Sequence, residues 1–142
     1  MLIGKKDQDI IKKRFEALDK KVTMVFFEAG LGCDYCPQTK QLVTELAALS
    51  DKIEVQVHNF HTEPDVAARF HVTHVPALVL LDEANKDYGI KFYGIPSGYE
   101  FSTLLEDILM VSTGETSLSK QTIETLQNLT QAVHLQVFVT PT

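Results

Sequence analysis

The sequence predicts an α/β protein: a mixed four-stranded sheet with helices on both faces, plus an extra helix and strand at the C-terminus. Helical and strand patterns alternate along most of the chain, which favours parallel pairing through crossover helices. The third and fourth strands are joined by a short link, which requires antiparallel pairing. The length of 142 residues is that of about one domain. We therefore expect one unit over residues 1–113 and an appendage over residues 114–142.

The first half of the chain carries three helical and two strand patterns. Apolar residues recur every three or four positions over Asp7–Lys20 and Gln38–Leu49, which predicts two helices. The run Val22–Phe27 is continuously apolar, which predicts a strand buried on both faces. Ile53–Val57 alternates apolar and polar residues, as a strand does. A proline in the first turn opens a short helix over Glu63–Phe70.

The second half of the unit closes the predicted sheet. Leu78–Leu81 is an apolar strand that follows a Val-Pro pair. The polar segment Asp82–Gly89 predicts a turn, and Ile90–Ile95 predicts the fourth strand. Apolar residues at helical spacing then predict a helix over Tyr99–Met110.

The appendage predicts a helix over Leu118–Leu129 and a strand over His134–Val139. One helix and one strand cannot bury a core by themselves. They therefore pack on the first unit, pair with another molecule, or open a second unit.

Composition excludes several classes of function. The net charge is −6, and an acidic chain repels phosphate backbones, so we expect no nucleic-acid partner. No apolar run approaches the roughly 18 residues of a membrane helix, so we expect no membrane partner. The N-terminal sequence has no apolar segment of the secretory-signal type, which predicts a cytoplasmic location.

The chain's two cysteines, Cys33 and Cys36, form a C-x-x-C motif between a buried strand and a helix. The N-terminus of a helix stabilises a thiolate through its free N–H groups and its dipole. The first cysteine of such a turn is the more exposed, which predicts Cys33 as the nucleophile and Cys36 as the resolving thiol. Glu28, at the end of the first strand, is either a proton acceptor for Cys36 or an exposed acid.

The pair Val75-Pro76 follows the cysteines by about 40 residues and precedes the third strand. A cis proline facing the C-x-x-C turn would leave the preceding backbone free to pair with an extended peptide. Such strand addition would hold a target over Cys33.

These residues resemble the thioredoxin/glutaredoxin superfamily. The longer pattern is similar to the glutaredoxin-like protein disulfide oxidoreductases, which carry two thioredoxin-fold units, each with a C-x-x-C. The resemblance rests on CDYC, KQLVTEL, KFYGIPSGYEF, LEDIL and VFVTPT. It implies a thioredoxin-like fold over residues 1–113 and the start of a second, truncated unit over residues 114–142. A related double module also occurs in alkyl hydroperoxide reductase flavoproteins.

The resemblance implies a protein-disulfide oxidoreductase. Carried over by position, the catalytic residues are Cys33 and Cys36, and the substrate-binding residues are Val75, Pro76 (the cis proline), Tyr35 and His74. No cofactor and no metal are implied. The implied partners are protein thiol or disulfide substrates and an external reductase that supplies the reducing equivalents.

Two alternatives stay open. In the first, the protein is a redox-inactive interaction module whose tail strand pairs with a partner or forms a homodimer, because the apolar segment Val137–Val139 would recruit another strand. In the second, the cysteines bind a metal together with histidines. The candidate ligands are His58, His61, His71 and His74.

Overall fold

The computed structural model describes residues 1–140. Pro141 and Thr142, the last two residues of the predicted appendage, lie outside the described residues. The elements are, in order, α1 Lys5–Phe15, β1 Val22–Glu28, α2 Cys36–Ala47, β2 Ile53–Asn59, α3 Pro64–Arg69, β3 Ala77–Leu81, β4 Asp87–Tyr93, α4 Tyr99–Thr113 and α5 Lys120–Gln127.

The strands form one mixed sheet in the order β2-β1-β3-β4, which confirms the predicted architecture. β1 pairs with β2 in parallel, while β3 runs antiparallel to both β1 and β4. In this register Phe27 lies between His58 and Ala77, and Ala77 lies beside Tyr93. The ends of β1, β2 and β4 and the beginning of β3 therefore meet at one end of the sheet, which we call the site end.

Both faces of the sheet are covered, as predicted. Alternation along β1 sends Met24 and Phe26 to one face and Val25 and Phe27 to the other. α1, α2 and α4 pack on the first face, and α3 packs on the second. Because β1 lies between two strands and is covered on both faces, its side chains from Val22 to Phe27 are buried, as its continuous apolar run predicts.

Most element boundaries differ from the prediction by one to five residues, and two of these differences have a clear physical reason. β4 begins at Asp87, inside the segment predicted as a turn, because its backbone already pairs with Leu81 although the side chains there are polar. α4 continues past Met110 to Thr113, where Gly114 takes a left-handed conformation (φ 71°) that closes the helix. Among residues 1–140, no helix combines the length and apolar character needed to cross a membrane.

The predicted strand over His134–Val139 is wrong for this structure, because residues 130–140 carry no regular secondary structure. A strand needs a neighbouring strand for its backbone hydrogen bonds, and within the described residues the sheet consists of β1 to β4. α5 forms inside the predicted helix, yet it buries no residue. The described part of the appendage therefore adds nothing to the core of the first unit.

Replacing Ser112 by alanine is expected to destabilise the fold. This side chain is 1% exposed, and its Oγ accepts hydrogen bonds from the N–H groups of Asp19 and Lys20 and donates one to the Lys20 carbonyl. The variant removes all three side-chain bonds, although the Lys20 N–H keeps its bond to the backbone carbonyl of residue 112 at 3.3 Å. The expected cost is about 1–3 kcal/mol in the free energy of unfolding. Chemical denaturation measures this loss. Ser102→Ala, at an exposed serine of the same helix, should change the free energy of unfolding by less than about 0.5 kcal/mol. Equal effects of the two variants would contradict the bridging role of Ser112.

Glu45 of α2 fixes the N-terminal segment, and this anchor should depend on pH. Its carboxylate accepts hydrogen bonds from the N–H groups of Ile3 and Leu2, and from Gln41. These bonds, that from Ile3 above all, lower the pKa of Glu45 from 4.5 to about 2. A lowered pKa in the folded state gives stability that is complete above pH 4.5 and disappears as the pH falls through about 2.

The check is the thermal midpoint of wild type and Glu45→Gln as a function of pH. The wild-type advantage should be largest near neutrality and shrink steadily below pH 4.5. An advantage that grows toward low pH would contradict this account.

Candidate redox site

The two cysteines lie at the site end, joined by a disulfide with a Cα–Cα distance of 5.4 Å. Cys36 is the first residue of α2 and is 2% exposed, whereas Cys33 lies in the preceding loop and is partly exposed. Gly32 precedes Cys33 with φ 72°, a conformation that glycine adopts without strain. Of the two sulfur-bearing residues, Cys33 is therefore the one that a macromolecule can approach.

The turn between the cysteines is held by Thr39. The backbone N–H of Thr39 and its hydroxyl both donate to the carbonyl of Tyr35, at 2.9 and 2.7 Å. Thr39 is fully buried, while the Tyr35 side chain is 60% exposed beside the cysteines. Thr39 was not singled out from the sequence; the available signal was a hydroxyl residue one turn after the second cysteine.

Val75 and Pro76 lie directly before β3, and the peptide bond between them is cis. Pro76 is buried, Val75 is partly buried and His74 is exposed. The next residue, Ala77, pairs with Phe27, so this segment and the cysteine loop lie at the same end of the sheet. The structure thus places the segments that carry all six predicted site residues at the same end of the sheet.

Glu28 is neither isolated nor fully exposed. Its carboxylate lies 2.7 Å from the ammonium of Lys40 on α2, and its side chain is 26% exposed. Lys40 is four residues after Cys36, so it projects from the same side of the helix. The ion pair places one positive and one negative charge at the site end. Lys40 was not predicted as a site residue, because its contact with Glu28 joins two elements that come together only in the folded chain.

Two of the four candidate histidines, His58 and His74, are engaged by other side chains. His58 shares a hydrogen bond with Glu63 at 2.8 Å, and this bond, with one from the Asn59 N–H, lowers the pKa of Glu63. His74 stacks on Tyr93 with ring centroids 3.9 Å apart. Within residues 1–140, no three His, Cys, Asp or Glu side chains are grouped so as to hold a metal ion. The metal-binding alternative therefore has no ligand set in the described structure.

A groove of about 550 Å³ lies apart from the cysteines, between α1, α2 and α4. Its lining includes Ile10, Leu42, Ile95 and Phe101, but none of the predicted site residues. Small-molecule enzymes commonly enclose their substrate in a concave pocket. The disulfide lies outside this groove, at the site end of the sheet.

Comparison with known proteins agrees with this geometry. A family profile described as a thioredoxin domain matches residues 20–106. The chain is 27% identical over 134 residues to an alkyl hydroperoxide reductase protein of Staphylococcus aureus, covering 93% of this chain and 23% of that protein. It therefore spans about a quarter of the length of this curated relative.

The solved structures that are similar to this one include two whose chains it covers by more than half. The alkylhydroperoxide reductase AhpF of Enterococcus faecalis is 28% identical, with a TM-score of 0.83, over 91% of this chain and 62% of that chain. A protein disulfide oxidoreductase from Aeropyrum pernix is 22% identical, with a TM-score of 0.79, over 91% of this chain and 56% of that chain. The second likeness bears on the fold alone.

Proposed function

Because this chain belongs to the thioredoxin domain family, we propose that it is a thiol–disulfide oxidoreductase acting on protein disulfides. The observation that carries the proposal is the Cys33–Cys36 disulfide at the start of α2, with one partly exposed and one buried cysteine. Disulfide exchange needs one thiol that meets the substrate and a second that resolves the intermediate.

The reaction runs in two steps from the reduced dithiol. The thiolate of Cys33 attacks one sulfur of a substrate disulfide, forming a mixed disulfide and releasing one substrate thiolate. The thiolate of Cys36 then attacks the sulfur of Cys33, which closes the Cys33–Cys36 disulfide and releases the second substrate thiolate. Two electrons pass to the substrate, and the two substrate thiolates take up protons from solvent.

The open surface around Cys33 supports a protein as substrate. The exposed side chains of Leu31 and Tyr35 flank the cysteine loop and offer apolar contact. We assign Val75, Pro76, Tyr35 and His74 to substrate binding, with the backbone of Val75 pairing with an extended segment of the target.

The reaction as proposed needs no bound cofactor. The disulfide form described here must be reduced before it can act as a donor, so a second protein, an external reductase, would supply the electrons. The dithiol and that reductase would exchange electrons by the same two-step chemistry, run in reverse.

We also propose that residues 1–113 form the thioredoxin-fold unit and that residues 114–142 open a second unit. The alignment with the Staphylococcus aureus relative runs over 134 residues, more than the first unit contains, so the similarity continues into the appendage. An amphipathic α5 that buries no residue is consistent with a helix whose partner belongs to a further unit.

The test is turnover of insulin disulfides with dithiothreitol as electron donor. Wild type should accelerate insulin reduction well above the uncatalysed rate, and Cys33→Ser should return it to that rate. Wild-type protein that is fully reduced yet adds nothing to the uncatalysed rate would overturn the proposal.

A second candidate function is interaction through the C-terminal tail. Leu135, Val137, Phe138 and Val139 are 81–90% exposed, and an exposed apolar extended segment recruits other chains. Sedimentation over rising protein concentration should then show a dimer that Val137→Asp disrupts. A monomer at every concentration would exclude the homodimer.

A further inference from the structure

The segment from Thr73 to Pro76, called the 73–76 loop, leads into β3 at the site end, where the cysteine loop follows β1. Within residues 1–140, the backbones of Thr73, His74 and Val75 make no hydrogen bond to another backbone group. This is a short run of free N–H and C=O groups, as an extended peptide would need for pairing. A run with free backbone groups has little to hold it in place, so other contacts must fix its position.

Side-chain contacts from the end of β4 supply that support. The ring of Tyr93 stacks on the ring of His74, with centroids 3.9 Å apart and planes at 17°. The hydroxyl of Tyr93 donates to the carbonyl of His71 at 3.4 Å. The hydroxyl of Thr73 lies 2.9 Å from Nδ1 of His74, which fixes the imidazole next to the stack.

The far end of the loop is tied to the same strand end. The N–H of Gly94, directly after Tyr93, donates to the carbonyl of Pro76 at 2.9 Å. Tyr93 itself pairs with Ala77, the first residue of β3. The strand end therefore contacts the loop before, within and after its unpaired backbone.

We propose that Tyr93, acting through His74, is a positioning residue that holds the 73–76 loop ready to pair with an extended peptide substrate. This inference rests on the proposed function and adds a determinant of peptide over small-molecule disulfides. Within the described residues Tyr93 makes no hydrogen bond to either cysteine, so it acts on substrate binding rather than on the sulfur chemistry.

The role predicts a selective effect on substrates. A peptide disulfide must pair with the loop as well as meet Cys33, whereas a small disulfide needs only Cys33. Without the stack the loop is free to move, so binding of the peptide must also order the loop, which costs free energy. The small disulfide does not pair with the loop, so its reaction does not include this cost. The ratio of the two rate constants separates this role from a general loss of structure, which would lower both.

The experiment uses the Cys36→Ser background, in which the mixed disulfide on Cys33 accumulates. The probes are cystamine and an unstructured peptide whose single cysteine is blocked by cysteamine, each followed by the mass of its adduct with Cys33. In Tyr93→Leu the ratio of peptide to cystamine rate constants should fall about two- to tenfold, the scale of a lost aromatic pair. Tyr93→Phe retains the stack and should keep most of the ratio.

Further variants complete the design. Because His74 is itself assigned to substrate binding, His74→Ala is compared with the double variant. If Tyr93 acts through His74, adding Tyr93→Leu to His74→Ala should lower the ratio no further, and a further fall would contradict that route. Tyr88→Leu changes another tyrosine of β4, which is 52% exposed and bonded to Asp82, and should leave the ratio unchanged.

The outcomes distinguish this inference from the proposed function. If both probes react with Cys33 but Tyr93→Leu leaves the ratio at its value in the Cys36→Ser parent, the positioning role is wrong and the proposed function stands. If Cys33 reacts with neither probe even without the loop substitutions, the proposed function fails, and the positioning role fails with it.

Discussion

Cys33→Ser is expected to abolish disulfide exchange, whereas Cys36→Ser should stop the reaction after its first step. Cys33 is the accessible thiol, so its loss removes the nucleophile. Cys36 is 2% exposed, so its loss spares the attack but removes the resolving thiol. Mixing each reduced variant with a peptide disulfide and measuring intact mass should show a stable adduct only with Cys36→Ser.

The chain is well suited to this test because it contains two cysteines in all, so no other thiol can replace the one removed. Alanine in place of serine at each position serves as the matched control for the hydroxyl. An adduct on Cys36 in the Cys33→Ser variant, with none on Cys33 in the other, would reverse the two assigned roles.

Phe27→Ala should cause a large loss of stability in the first unit. Phe27 is fully buried in the second face of the sheet, where its ring lies 6.0 Å from that of Phe70 and 5.7 Å from that of His58. Removing a buried phenylalanine side chain costs about 3–5 kcal/mol, a large share of the ~5–15 kcal/mol that stabilises a typical domain.

Chemical denaturation at low protein concentration measures this effect. Phe138→Ala is the control, because this ring is 90% exposed and its removal should change the free energy of unfolding by less than about 0.5 kcal/mol. A loss below about 1 kcal/mol for Phe27→Ala would mean that α3 does not form a packed layer over this face.

The sheet was predictable because its signals are local. The apolar run of β1 and the helical spacing of apolar residues between the strands predict that strands and helices alternate along the chain. The short link between β3 and β4 predicts that these two strands pair antiparallel. The start of β4 was not predictable, since Asp87 joins the sheet through backbone pairing with Leu81 that leaves no mark in the side-chain pattern. The predicted strand over His134–Val139 is wrong for the opposite reason. Its side-chain pattern suits a strand, but without a neighbouring strand its backbone has no partner for hydrogen bonds.

The candidate site divides in the same way. The spacing of Cys33 and Cys36 and the Val75-Pro76 pair are visible in the sequence, because each is a short motif. The residues that support them are tertiary: Thr39 bonds the turn between the cysteines, and Tyr93 reaches the 73–76 loop from another strand. Their residue types are ordinary for a helix and a strand, so only the fold reveals what they contact.

A redox titration of the Cys33–Cys36 pair determines whether the two cysteines form a reversible dithiol–disulfide couple. Protein equilibrated in dithiothreitol or glutathione buffers is quenched with a thiol-alkylating reagent. Mass spectrometry then gives the fraction of oxidised protein, which carries no label, and the fraction of reduced protein, which carries two. We expect one reversible two-electron transition, with a tenfold change in the oxidised-to-reduced ratio for about every 30 mV, and no such transition in either Cys→Ser variant. A pair that stays oxidised or reduced across the series, or that titrates irreversibly, would contradict this expectation.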